Sequence, residues 1–318
     1  MRKLILSLMS IVIFCFNLWL SNARAQEIPV FKEEDVVLET KNGKLSGTLC
    51  VPQNIDVKAV VLIIAGSGPT DRNGNSMMTK NNSLQMLARQ LTGSGIASLR
   101  YDKRGIAASA AAGMKEEDLR FEQLVQDASD WLAWLKNSKR FPSFYILGHS
   151  EGSLIGMLAS EGANGFISLA GPGEPAGTTL RRQLSAQPKM IKDEAFSILD
   201  SLDAGLTVHK TSPLLASLFR PSVQPYLISW MKYDPTKIIA SLKIPVCIIQ
   251  GTTDIQVEEE DARKLSAAQP SAKLIIIDGM NHVLKTAPAN RAENMKTYNN
   301  PDLPIADKLV QEISSFIQ

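Results

Sequence analysis

The chain has 318 residues, 44% of them hydrophobic and 21% charged, with 34 basic and 32 acidic residues. That is the profile of an ordinary globular protein, long enough to bury a core without disulfides or metals to hold it. No lysine- or arginine-rich block suggests nucleic acid.

The first residues read as a separate object. Arg2 and Lys3 precede an apolar run over 4–20, and Ser21-Asn22-Ala23-Arg24-Ala25 follows with Ala23 and Ala25 at small-x-small positions. This predicts a signal peptide over 1–25, cut before Gln26, and a product exported to the periplasm or beyond with no stable membrane anchor. The alternative is an uncleaved anchor, since the run approaches the ~20 residues of a spanning helix. Without Arg2, Lys3 and Arg24 the chain has 31 basic and 32 acidic residues, so its slight basicity belongs to the leader.

Residues 35–52 have the pattern of an antiparallel hairpin turning at Lys41-Asn42-Gly43-Lys44. The chain then alternates. Apolar runs at 59–65, 96–101, 144–147, 166–170, 246–250 and 274–277 predict strands, several of them buried on both faces. Helical spacing appears at 83–92, 119–136, 154–160, 259–267 and 305–317. The pattern predicts an α/β fold: a mostly parallel, doubly wound sheet with helices on both faces. Residues 174–236 break the alternation with helical stretches near 178–187, 190–203 and 223–232. They are expected to form a helical cap inserted between two parts of the core, 26–173 and 237–318. Cys50 and Cys247 each sit in a strand-like run and are expected to be buried free thiols. No Cys/His cluster has zinc spacing.

Chemistry concentrates where strands end, which is where such sheets place their sites. Gly148-His149-Ser150-Glu151-Gly152 stands between a predicted strand and a predicted helix. The glycines allow a sharp turn that lifts Ser150 above the sheet as a nucleophile. A serine hydroxyl needs a base. His149 shares the turn and should point elsewhere, and His209 falls in the insertion as a surface residue. His282 follows the last strand on the same edge and is the expected base. Asp254, after the preceding strand, is the expected acid, with Asp278 and Glu258 as rivals. The backbone N–H of Glu151 and that of Ser67, in Ala65-Gly66-Ser67-Gly68-Pro69, are the expected oxyanion donors. The glycine-rich loop lacks the ending of a phosphate-binding loop and the spacing of a dinucleotide fingerprint. Arg100-Tyr101-Asp102-Lys103-Arg104-Gly105 reads as a structural turn with an internal ion pair rather than a clamp for a substrate carboxylate.

With Gly66 through Gly74, Arg100 through Gly105, Gly148 through Gly152, Ile244-Pro245-Val246 through Asp254, and Met280-Asn281-His282, the chain resembles the α/β-hydrolase superfamily from about Asp35 onward. Within it, the chain is similar to bacterial esterases grouped with serine aminopeptidase-like and monoacylglycerol-lipase-like hydrolases. The resemblance implies hydrolysis of a small-molecule carboxylic ester through an acyl-enzyme on Ser150, without cofactor or metal. A serine peptidase or amidase with the same triad is the alternative, with Glu174 as a possible clamp for a peptide terminus. A non-catalytic binding protein of the same fold is the remaining one. Two departures stand out: Ile106-Ala107-Ala108-Ser109 replaces the usual further glycine and serine, and Ala65 replaces a frequent histidine.

Expression with the native leader should yield a mature chain whose first residue is Gln26, read by N-terminal sequencing. A product that retains Arg2 and Lys3 would instead support the anchor.

Overall fold

Eight strands form one sheet in the order β1-β2-β4-β3-β5-β6-β7-β8. The computed structural model describes residues 30–317, so the expected leader lies outside the described residues. β1 (Phe31–Thr40) and β2 (Gly43–Pro52) make the antiparallel hairpin, closed where Thr40 faces Gly43. β2 also pairs antiparallel with β4 (Ile96–Tyr101). All other pairings are parallel and join β3 (Ala59–Ile64), β4, β5 (Phe144–His149), β6 (Gly165–Leu169), β7 (Val246–Gly251) and β8 (Lys273–Ile277).

Among the described residues the α-helices are α1 (Ser83–Leu91), α2 (Phe121–Asn137), α3 (Glu151–Leu158), α4 (Ala176–Leu184), α5 (Lys189–Asp203), α6 (Ala216–Phe219), α7 (Gln224–Met231), α8 (Pro235–Ser241), α9 (Glu259–Ala268), α10 (Arg291–Lys296) and α11 (Asp307–Ile317). β3 shows why the sheet is covered twice. Val60, Leu62 and Ile64 enter one apolar cluster with Phe121, Trp131, Leu154 and Leu265. Ala59, Val61 and Ile63 enter another with Leu84, Leu87, Leu309 and Ile313. A strand's side chains alternate between faces, so an unbroken apolar run needs helices on both. Each fully buried Leu, Ile or Val in these layers contributes roughly 1.5–3 kcal/mol.

Four helices, α4 to α7, lie between β6 and β7 within residues 174–236. Three match the expected stretches within a few residues. The short α6, and α8 across the end of the insertion, were not expected, because four and seven residues are too few to show a helical period. α8 begins instead on local chemistry: Asp234 accepts from the Thr236 N–H at 3.0 Å, with Pro235 following as a proline suited to a first turn. The insertion is fastened to the core at the start of α2. Phe121 is fully buried, stacks on Trp230 at 6.0 Å and meets Tyr226 and Tyr233 at 6.2 and 5.4 Å, while its N–H donates to Ser229 Oγ at 2.8 Å.

One expectation needs revision, and one is borne out. Segment 100–104 does not hold an internal ion pair, because each of its charges reaches a different element. Arg100 pairs with Glu33 on β1 at 2.7 Å and Asp102 with Arg72 at 2.7 Å. Arg104 Nε donates to Asp127 on α2 at 2.8 Å, and Lys103 lies 3.6 Å from Glu151 on α3. Successive side chains leaving a strand end point apart, and all four are buried, so each needs its own partner. Cys50 and Cys247 are free and buried, and burial pushes their thiols up to about 11 and about 12.

The loop after Gly105, which lacks a further glycine, is closed by its own hydrogen bonds. Gly105 N–H donates to Ser109 O at 3.0 Å and Ser109 Oγ to Asp102 O at 2.9 Å. The cost falls on Ala107, which adopts φ 44, a left-handed conformation that disfavours a side chain. Ala107→Gly should therefore raise stability by up to about 1 kcal/mol, net of the entropy glycine adds to the unfolded chain. Denaturant unfolding checks this, and a destabilised variant would show that the alanine methyl packs usefully.

Candidate active site

Ser150 sits between β5 and α3 with φ 56 and ψ −124, outside the regions an L-residue normally occupies. Its neighbours make that possible. A Cβ on Gly148 would come within 2.0 Å of the Gly152 carbonyl oxygen, and one on Gly152 within 2.4 Å of the Ile64 oxygen. Only glycine fits at either position. The Ser150 N–H donates to Leu169 O at 3.0 Å, which ties the turn to the next strand.

Asp254 follows β7 and His282 follows β8. Their side chains meet, with His282 Nδ1 2.8 Å from Asp254 Oδ2. Burial alone would raise the Asp254 carboxyl, but His282 and the N–H groups of Val257 and Gln256 hold it below the ordinary range. An ionised carboxylate only accepts, so Nδ1 carries the proton and Nε2 is left with its lone pair. That is the tautomer a general base requires. Gln250 Nε2 also donates to Asp254 Oδ2, at 3.2 Å. The rivals are engaged elsewhere: Asp278 accepts from Thr252 Oγ1 at 3.0 Å, and Glu258 lies 3.8 Å from Arg182. His209 is exposed. The Ser150 hydroxyl is not hydrogen-bonded to the His282 ring, but the two residues are joined through His149. Its Nε2–H donates to the His282 carbonyl at 2.8 Å, and the two rings lie 4.8 Å apart.

His149 is buried, as a packed polar residue pointing away from Ser150 should be, but its bond to the His282 carbonyl was not legible in the sequence. Nothing in the motif shows which loop its ring will meet. Further support lies behind His282. Asn281 Oδ1 accepts from the Lys285 N–H at 3.0 Å, and the fully buried Lys285 ammonium donates to Asn300 O at 2.8 Å and to Leu303 O. Burial pulls that lysine down to about 8.

The loop after β3 lies against Ser150: a Cβ on Gly66 would meet the Ser150 Cβ at 3.1 Å. The Ser67 N–H has no protein acceptor among the described residues, and the Glu151 N–H, in the first turn of α3, has no intrahelical one. A cavity of about 650 Å³ opens over Ser67, Ser150 and Glu151 and is walled by Leu124, Leu180 and Trp230. Among the described residues no cluster of three or more His, Cys, Asp or Glu could hold a metal ion, and no helix is long and apolar enough to cross a membrane.

Residues 77–170 match the family described as serine aminopeptidase, S33, a stretch that includes Ser150 but stops short of Asp254 and His282. Esterase EstD of Thermotoga maritima is 27% identical over 269 residues, a match covering 80% of this chain and 60% of that protein. Among solved structures, Est1E of Butyrivibrio proteoclasticus with ferulic acid bound aligns with a TM-score of 0.59 at 17% identity, covering 89% of this chain and 96% of that one. The Pyrococcus furiosus esterase Pf2001 aligns at 0.56 and 16%, covering 90% and 91%. At such identities the likeness establishes the architecture: the chain has the α/β-hydrolase fold.

His149 gives the site an acid-side signature. Burial, aided by the charge of His282, pushes its ring from 6.5 down to about 3. Above about pH 6.5 the ring is neutral folded or unfolded, and its stability is fully present. Below that, only the unfolded chain takes up the proton, so stability falls by roughly 1.4 kcal/mol per pH unit toward pH 3. His149→Gln, which can still donate to the His282 carbonyl, should remove one proton's worth of this slope between pH 6 and 4 in denaturant titrations. An unchanged slope would mean the ring is not held neutral.

Proposed function

We propose that the chain is an exported serine hydrolase that cleaves carboxylic esters through an acyl-enzyme on Ser150. The observation that carries this reading is the meeting, at one sheet edge, of the strained Ser150 turn with an Asp254-paired His282 whose Nε2 is free. In the reaction, His282 Nε2 takes the Ser150 proton as Oγ attacks the ester carbonyl carbon. The carbonyl oxygen becomes an oxyanion facing the N–H groups of Ser67 and Glu151. Collapse breaks the bond to the alkoxy oxygen, and His282 returns the proton to the departing alcohol. Water then attacks the acyl-enzyme with His282 again as base, which releases the acid and restores Ser150. Catalytic hydrogen bonds are often long in substrate-free structures and tighten in the substrate complex.

The relatives support ester cleavage: EstD and Pf2001 are named esterases, and Est1E was solved with ferulic acid. The cavity's Leu and Trp walls suit an apolar acyl group held under the inserted helices as a cap. The amidase alternative loses its candidate clamp, because the Glu174 carboxylate is taken by Arg182 at 2.8 Å and Lys264 at 2.5 Å.

A fluorophosphonate should label the folded mature chain at Ser150, and Ser150→Ala should lose both labelling and turnover of a short-chain aryl ester. Asp254→Asn, which disturbs the tautomer of His282, should lower kcat by about 10⁴-fold with little change in KM. Turnover near wild type in Ser150→Ala would end the acyl-enzyme reading, and faster cleavage of an aminoacyl arylamide than of the ester would favour the amidase.

A further inference from the structure

Both proposed oxyanion donors belong to segments that a buried polar bridge ties together. Lys103, at the end of β4, donates from Nζ to the Gly66 carbonyl at 2.5 Å and lies 3.6 Å from Glu151 Oε2. The other carboxylate oxygen of Glu151 accepts from the Tyr226 hydroxyl of α7. The three side chains are 5%, 2% and 9% exposed. Glu151 Oε2 has no hydrogen bond of its own, so the lysine charge is its principal compensation.

The bond to Gly66 has a directional consequence. The Gly66 carbonyl and the Ser67 N–H belong to one planar, trans peptide unit, so they point in opposite directions. A lysine that holds the carbonyl on one side aims the N–H at the other. This matters because residue 66 is a glycine in close contact with Ser150 and His149, where a Cβ would meet the Ser150 Cβ at 3.1 Å. Glycine leaves that peptide free to rotate. A rotated unit would present its carbonyl oxygen where the ester oxygen gains negative charge, replacing a donor with a repelling acceptor.

The geometry points to Lys103 as a positioning residue that holds the Gly66–Ser67 peptide in its donor orientation, with Glu151 and Tyr226 fixing the lysine from the nucleophile helix and the inserted helices. This rests on the acyl-enzyme reading of Ser150. The bridge joins the two oxyanion donors, since Glu151 supplies one through its backbone and anchors the other through its side chain. It also connects the seating of α7 to the site, because Tyr226 belongs to the wall that covers the cavity.

The test separates folding from orientation. Lys103→Met leaves a buried, uncompensated carboxylate and should lower the thermal midpoint; it should also lower kcat on a short-chain aryl ester by about 10–100-fold with KM within about threefold, part of the loss expected for a whole donor. The double variant Lys103→Met/Glu151→Gln removes the stranded charge while keeping the residue 151 N–H. Its thermal midpoint should recover toward wild type and its kcat should not. This variant decides the matter even if the single one fails to fold. Recovery of kcat together with the midpoint would show a purely structural lysine and overturn the proposal, as would wild-type kcat in Lys103→Met. Those outcomes leave fluorophosphonate labelling of wild-type Ser150 intact. A wild-type chain that is not labelled and does not turn over would remove the acyl-enzyme reading, and this inference with it.

Discussion

The Ser150 turn depends on a lack of space. Gly152 packs against the end of β3 and Gly148 against Gly152, so neither position has room for a Cβ. A backbone held at φ 56 is costly, on the order of 1–3 kcal/mol, and persists only where its surroundings leave no alternative. Here those surroundings are the central strands of the sheet, buried on both faces. The doubly covered core therefore sets the geometry of the serine, and everything else at the site is arranged around a point that cannot move.

The remaining parts reach that point from separate places in the chain. Asp254 and His282 descend from β7 and β8, and Ser67 from β3. Each loop carries its own restraint: Asp254 is held by two backbone N–H groups, the His282 carbonyl by His149, and the Gly66 carbonyl by Lys103. These restraints are mostly buried and polar, and the low-dielectric surroundings that make them strong also make each one expensive to leave unpaired. Between the aromatic cluster around Phe121 and the Tyr226–Glu151 bond, the inserted helices are attached to the same network. Cover and chemistry are thus mechanically continuous.

Much of this was legible in the sequence because it depends on period and punctuation. The apolar run of β3 announced a strand covered twice. Gly148 and Gly152 announced the turn, and the order of strand ends brought Asp254 and His282 to one edge. What stayed hidden depends on where a single side chain points across elements. No spacing rule connects Lys103 to Gly66, or His149 to the backbone of residue 282. The charges of segment 100–104 looked local because they are adjacent in sequence, yet they spread to β1, the loop before α1, α3 and α2. Ala107 shows the converse: where the sequence has alanine rather than a further glycine, the chain adopts a left-handed conformation at that alanine.

Cys50 and Cys247, the cysteines among the described residues, lie in β2 and β7, which are five strand spacings apart in the sheet. At about 4.8 Å per spacing they are separated by roughly 24 Å, far beyond the ~7 Å limit for a disulfide. These two thiols therefore cannot pair with each other within the folded sheet. Both thiols sit in paired strands of the core, so they react only when the sheet itself comes apart. Their rate of alkylation then measures the opening of the whole molecule, an intrinsic clock for global unfolding that local fraying of loops or inserted helices leaves unaffected.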